Sequence, residues 1–275
     1  MTERGLGCYA YCVVDAEGAR SLDGIDGVDA DFSTEAVTLG DLRAVVSRVR
    51  LDEFGAEPLR RNLEDLRWVE RTARAHDAVL ARALAADAVI PLRLCTVFTD
   101  VSHVRDMLER EGELLRGELG RLRGHAEWSV KLLAHRDRLE ATARKGDPAL
   151  AASSAGSEQS APGRAFFDRR KVERSVGEEA RTIAEGAAEE LHARLRDEAA
   201  AATLLRPQNP ELSRRSGEMI LNGAYLVHRS RSGEFEAVAE ALRGPNREIG
   251  LELDLSGPWA PYNFVTPPEA QGDDR

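Results

Sequence analysis

The residue types that carry most enzyme chemistry are present in this chain, but they are scattered. The six histidines, His76, His103, His125, His135, His192 and His228, stand at no spacing that would place two of them on one metal ion. Three cysteines, Cys8, Cys12 and Cys95, make an odd number. Cys8 and Cys12 fall in one apparent strand, where positions i and i+4 share a face but lie about 13 Å apart, too far for a disulfide. Buried, reduced thiols are the expectation for all three. Arg93 sits inside an apolar run and reads either as an anion-binding guanidinium or as a salt-bridged structural arginine. No phosphate loop, dinucleotide-binding glycine motif, zinc-protease helix or nucleophile elbow occurs. The carboxylates mostly interleave with arginines at helical spacing, the pattern of a solvated face. What stands out is aromatic: Ser256-Gly257-Pro258-Trp259-Ala260-Pro261-Tyr262-Asn263-Phe264. Two prolines fix φ and lower the entropy of an extended shape, and three aromatics can then pack on a surface of this chain or of a partner.

Composition bounds the alternatives. At 275 residues, 42% hydrophobic and 31% charged, the chain is globular and large enough for two domains. A net charge of −10 disfavours a general binder of nucleic-acid backbone. No run approaches the roughly 20 apolar residues of a membrane helix. The start, Met1-Thr2-Glu3-Arg4-Gly5, lacks a signal-peptide core, so a cytoplasmic protein is expected.

The elements that must hold the aromatic segment follow from periodicity. Gly7 to Val14 reads as a strand covered on both faces. Ala36–Leu39 and Leu42–Val49 read as a hairpin about Gly40-Asp41. Pro58 to Ala86 turns helical, with His76 on a helix face against the sheet or solvent. Val89 to Phe98, interrupted by Pro91, suits an edge or the start of a strand. A helix capped by Asp100 or Ser102 is expected over Val101–Leu122, then a strand over Glu127–Ala134 that opens a second domain with Trp128 in its core. Residues 141–163 read as a flexible Ala/Ser-rich insertion, followed by a helix to about Ala200. Met219–His228, a short helix over Glu234–Arg243 and a strand over Ile249–Leu255 complete the pattern. Gly257, Pro258 and Pro261 are expected to forbid regular structure beyond it. From Glu127 onward the order is one strand short of the βαββαβ of a ferredoxin-like domain. Residues 203–215 have the length for it but little apolar content.

Several segments together resemble the gas vesicle GvpF/GvpL family. They are Gly7-Cys8-Tyr9-Ala10-Tyr11-Cys12-Val13-Val14, Ile90-Pro91-Leu92-Arg93-Leu94-Cys95-Thr96-Val97-Phe98, Glu127-Trp128-Ser129-Val130-Lys131 and Leu221-Asn222-Gly223-Ala224-Tyr225-Leu226-Val227. Leu255 to Val265, which contains Gly257, Pro258, Trp259, Pro261, Tyr262 and Phe264, completes the set. The resemblance spans about residues 7–265. Cys95 departs from it, since the family more often carries a small residue such as glycine there.

The resemblance implies an α+β fold of two domains. These are an N-terminal α+β domain with a small antiparallel sheet, residues 1–124, and a modified ferredoxin-like domain with extra helices, residues 125–266. Residues 267–275 are expected to form a disordered tail. It also implies a protein that is not an enzyme and needs no cofactor or metal. Such a protein assists assembly of the gas vesicle shell as a minor shell-associated component, through contacts with the major shell protein and other accessory proteins. Trp259, Tyr262 and Phe264 are the candidate partner contacts, and Pro91, Arg93, Trp128, Gly257, Pro258 and Pro261 are motif positions with a structural role. Packing of the same aromatics within the chain is the competing expectation for them. The competing functions are an interaction module of another assembly and an enzyme with a site between the domains.

Overall fold

A computed structural model of the chain describes residues 5–15, 22–146, 162–207 and 217–266. They divide into two units: one takes the chain through Glu127 and again from Pro258, and the other is Trp128–Gly257. The sequence reading carried the second domain on to 266, whereas residues 258–266 group with the first unit.

The first unit is built on β1 (Leu6–Asp15), β2 (Thr34–Leu39) and β3 (Leu42–Arg50). β1 and β3 run antiparallel from Leu6↔Arg50 to Asp15↔Leu42, and β2 closes on β3 at Leu39↔Leu42, which leaves Gly40-Asp41 as the two-residue turn. Gly40 takes φ 60, as such a turn requires. β4 (Val89–Pro91) and β5 (Val97–Phe98) both pair with β1, giving the order β2-β3-β1-β4 with β5 beside β1. The expected run from Val89 to Phe98 is thus two short strands with a turn between them. Cys95 makes that turn at φ 65, a conformation glycine adopts without steric cost.

A bulge between Ala10 and Cys12 shifts the alternation along β1. Tyr9 and Tyr11 therefore join Cys12 and Val14 in one core, while Cys8 stays outside it. The equal-face expectation for Cys8 and Cys12 fails for this reason. All three cysteines are free thiols. Burial pushes the Cys8 and Cys12 thiols up to about 12 and that of half-buried Cys95 up to about 11.

Helices α1 (Leu51–Phe54), α2 (Ala56–Asn62) and α3 (Leu66–Ala83) follow β3. The single helix expected over 58–86 breaks at Leu63–Asp65, because Asp65 caps α3 by accepting from Arg67 N. α3 buries Trp68, Thr72, His76, Val79, Leu80 and Ala83. The helix expected over 101–122 is likewise two, α4 (Val101–Arg110) and α5 (Gly112–Leu122), joined at Glu111. Asp100 caps α4 through Ser102 N.

The second unit carries the strand order β7-β8-β6-β9, from β6 (His125–Ala134), β7 (Ala201–Leu204), β8 (Glu218–His228) and β9 (Leu251–Trp259). With α6 (Arg136–Gly146), α7 (Pro162–Glu198) and α8 (Ser232–Ile249), the chain order is βαββαβ with an added helix, a ferredoxin-like pattern. The strand missing from the sequence reading is β7. Of the expected insertion at 141–163, residues 141–146 close α6 and 162–163 open α7, and the rest lies outside the described residues, as does the expected tail at 267–275.

Trp128, Val130 and Leu132 from β6 alternate into the core with Leu221 and Tyr225 from β8 and with Leu251 and Leu253 from β9. Val176, Ala180, Ala184, Ala188, Leu191 and Leu195 form the stripe of α7 that meets them. β9 runs on through Gly257 and Pro258 to Trp259, against the expectation that these residues end it. It lies at the sheet edge, where a proline removes no ladder bond that the sheet needs.

α8 continues through Pro245 and ends on Gly250 at φ 100. A Cβ there would stand 2.7 Å from Arg138 Cβ and 2.9 Å from Leu139 N. Gly250→Ala is therefore expected to cost about 2 kcal/mol, adding left-handed strain to a backbone clash. Chemical denaturation of the variant checks this.

Candidate functional site

The aromatic segment after β9 is fastened to the first unit at four points. Ala260 is buried in the core that contains Tyr9, Tyr11 and α3. Pro261 is also buried and precedes one 3-10 turn, Tyr262–Phe264, closed by Tyr262 N to Ala260 O and Phe264 N to Pro261 O. Asn263 donates twice to Glu127, from its backbone N to Oε2 at 2.8 Å and from Nδ2 to Oε1 at 2.6 Å. The Arg121 guanidinium, paired with Glu118, donates to the Phe264 carbonyl.

The remaining fastening is a chain of hydrogen bonds through His76. Cys95 N donates to Tyr9 Oη at 2.9 Å. Tyr9 Oη lies 3.0 Å from His76 Nδ1, and His76 Nε2 lies 2.7 Å from Tyr262 Oη. In the neutral ring one nitrogen donates and the other accepts, so the two phenols hold opposite edges of one imidazole. His76 is 1% exposed, and burial pulls its pKa down to about 4 against an opposing pull from the Leu92 carbonyl. A neutral imidazole is thus the form that completes the chain. Burial pushes the Tyr9 and Tyr262 phenols up, with Asp77 the next contributor at Tyr262.

Burial also pushes the Glu127 carboxyl up, against the two Asn263 donors that favour its charge. Beside Glu127 opens a groove of about 330 Å³, walled by Asp77 and Leu80 of α3, by Leu84 just past its end, and by Pro258, Trp259 and Tyr262 of the C-terminal segment. Trp259 is 49% exposed and Tyr262 38%, although the segment beneath them is locked down.

The candidates of the sequence reading fall in different places. Trp259, Tyr262 and Pro258 come together on the groove, and Phe264 is half-buried at the end of the turn. Gly257 sits inside β9 at φ 148, a backbone value that side-chain-bearing residues rarely adopt. Pro91 is buried in β4 opposite Cys12. Arg93 is exposed and makes no ion pair among the described residues, so the salt-bridged reading does not hold for it there. Trp128 is core of the second unit, 4% exposed and 5.9 Å from the Phe235 ring. Of the two settings expected for His76, against the sheet or solvent, the first holds: the ring is buried against Tyr9 and Tyr11 of β1. The sequence reading gave no role to Asp77 or Asn263, or to Glu127 and Tyr9 beyond strand positions. Glu127 falls in step with Ser129 and Lys131 on the polar positions of an alternating strand, so the sequence did not mark it.

The fold and this docked segment define an α+β protein with two antiparallel sheets whose special feature is a shaped surface. Residues 7–266 match the family model described as gas vesicle synthesis protein GvpL/GvpF, and the chain belongs to that family. It is 36% identical to gas vesicle protein L of Streptomyces sp. (strain CB03234), over 94% of this chain and 92% of that one. It is 31% identical to gas vesicle protein F of the same strain, over 74% of this chain and 80% of the other. The crystal structure of the gas vesicle protein GvpF from Anabaena sp. PCC7120 shares the fold, with a TM-score of 0.68 at 18% identity, covering 94% of this chain and 98% of that one. Membership gives the chain a role in gas vesicle formation.

Proposed function

We propose that this chain is a non-catalytic accessory protein of gas vesicle assembly that docks the major shell protein on the Trp259–Tyr262 surface. One observation carries the reading. Trp259 and Tyr262 stay exposed on a segment whose backbone is held by Glu127 and Arg121 and whose Tyr262 hydroxyl is held by His76. A rigid segment loses little entropy on binding, so exposed aromatics on it make efficient anchors. A shell protein that packs around gas must hide apolar surface before assembly, and an aromatic groove can cover part of it. No helix among the described residues is long and apolar enough to cross a membrane, in keeping with an encounter in water.

The test is pairwise co-expression with the major shell protein and each accessory protein. Trp259→Ala combined with Tyr262→Ala is expected to weaken capture of the shell protein at least about tenfold, the effect of losing an interface anchor. Normal capture by a double variant that melts several degrees lower assigns the aromatics to packing alone.

A further inference from the structure

The lining of the groove has a sign. Among the described residues it holds two carboxylates, Asp77 and Glu127, and no lysine, arginine or histidine. Glu127 is 5% exposed and already engaged with Asn263, so its charge lies deep. Asp77 stands at the mouth on α3 and pairs with no cation among the described residues. Two cations of the framing elements are engaged by other partners. Arg74 pairs with Glu70, and Arg121 with Glu118 and the Phe264 carbonyl. Arg82 lies about 140° around the helix from Asp77 at 100° per residue. Across from Asp77 are the exposed ring of Trp259 and the ring of Tyr262.

We propose that this groove takes a cationic side chain, an arginine or lysine presented by the docking protein, laid against the Trp259 ring with its charge facing Asp77. The inference rests on the docking surface proposed above and names the chemistry that it selects. An anionic side chain is repelled by both carboxylates. An apolar one covers the rings but leaves Asp77 without a partner. A guanidinium or ammonium satisfies Asp77 and gains attraction from the ring face together. The desolvation that already pushes the Asp77 carboxyl up strengthens a pairing made there.

The probe is a blocked five-residue peptide of glycine and serine with one arginine at its centre, titrated into the full chain labelled with nitrogen-15. The Trp259 indole resonance is assigned with Trp259→Phe, since Trp68 and Trp128 are buried. A saturable shift of that resonance is expected. The matching peptide with uncharged citrulline is expected to bind about tenfold more weakly, and Asp77→Asn to weaken the arginine peptide several-fold at unchanged melting temperature. Equal binding of the citrulline peptide, or no shift at Trp259 at saturating peptide, overturns the cation site.

The same variants in the co-expression assay separate the two proposals. Loss of shell-protein capture in Asp77→Asn and in the Trp259/Tyr262 double variant supports both. Loss in the double variant alone leaves the docking surface standing and overturns the cation site. Loss in neither overturns both.

Discussion

Replacing His76 with alanine is expected to destabilise the first unit by about 3 kcal/mol, the sum of a buried cavity and two lost hydrogen bonds. The ring sits 5.5 Å from Tyr11 and 5.7 Å from Tyr9, so truncation opens space inside the aromatic core. It also removes the hydrogen-bond partner of both Tyr9 and Tyr262. For a unit of this size the melting temperature should fall by about 10 °C, and limited proteolysis near Tyr262 should quicken. Tyr262→Phe removes only the outer bond and should cost about 1 kcal/mol.

His76 also sets a pH dependence. Its pKa is about 4 in the folded chain against the ordinary 6.5. Between those values the unfolded chain binds a proton that the folded chain refuses, so acid favours unfolding. The contribution is complete above the unfolded value and is lost as pH falls from about 6.5 towards 4. His76→Gln should flatten the fall in stability between pH 7 and 4.5 by about 2 kcal/mol relative to the parent. Parallel denaturation curves for parent and variant across that range would contradict a buried neutral histidine.

Phe235→Ala is expected to have the largest effect in the second unit, about 4 kcal/mol. The side chain is wholly buried, and its ring packs at 5.5 Å from Tyr225 and 5.9 Å from Trp128. It joins α8 to the inward faces of β6 and β8, so no neighbour on a flexible loop can fill the space. Phe235→Leu keeps most of the volume and should cost less than half as much. A denaturant midpoint for the alanine variant within 1 kcal/mol of the parent would contradict this packing.

The elements that the sequence showed clearly are those whose burial repeats locally. β1, the Gly40-Asp41 hairpin, the Asp100 cap and the long helix to about Ala200 are of this kind. β7 was hidden because Ala201-Ala202-Thr203-Leu204 continues a run of helix-forming alanines. Only its pairing with β8, from Ala201↔Leu226 to Leu204↔Gly223, makes it a strand. The breaks at Asp65 and Glu111 were hidden because apolar spacing continues across them, although Asp65 carries the side chain that starts the next helix.

At the site, the unusual density of aromatics among prolines marked Trp259 and Tyr262 without any structure. Their anchors did not show, because Tyr262 and His76 are 186 residues apart, and Asn263 and Glu127 are 136 apart. Periodicity carries no information at such separations. Arg93 shows the converse: an unusual residue in an apolar run, held only in an exposed turn.

The proposed role turns most directly on one measurement, the capture of the major gas vesicle shell protein by this chain and by its Trp259→Ala/Tyr262→Ala variant, co-expressed at matched levels. Docking on the aromatic groove predicts capture by the parent and at least about a tenfold loss in the folded variant. Equal capture by both, or no capture by the parent, would contradict it.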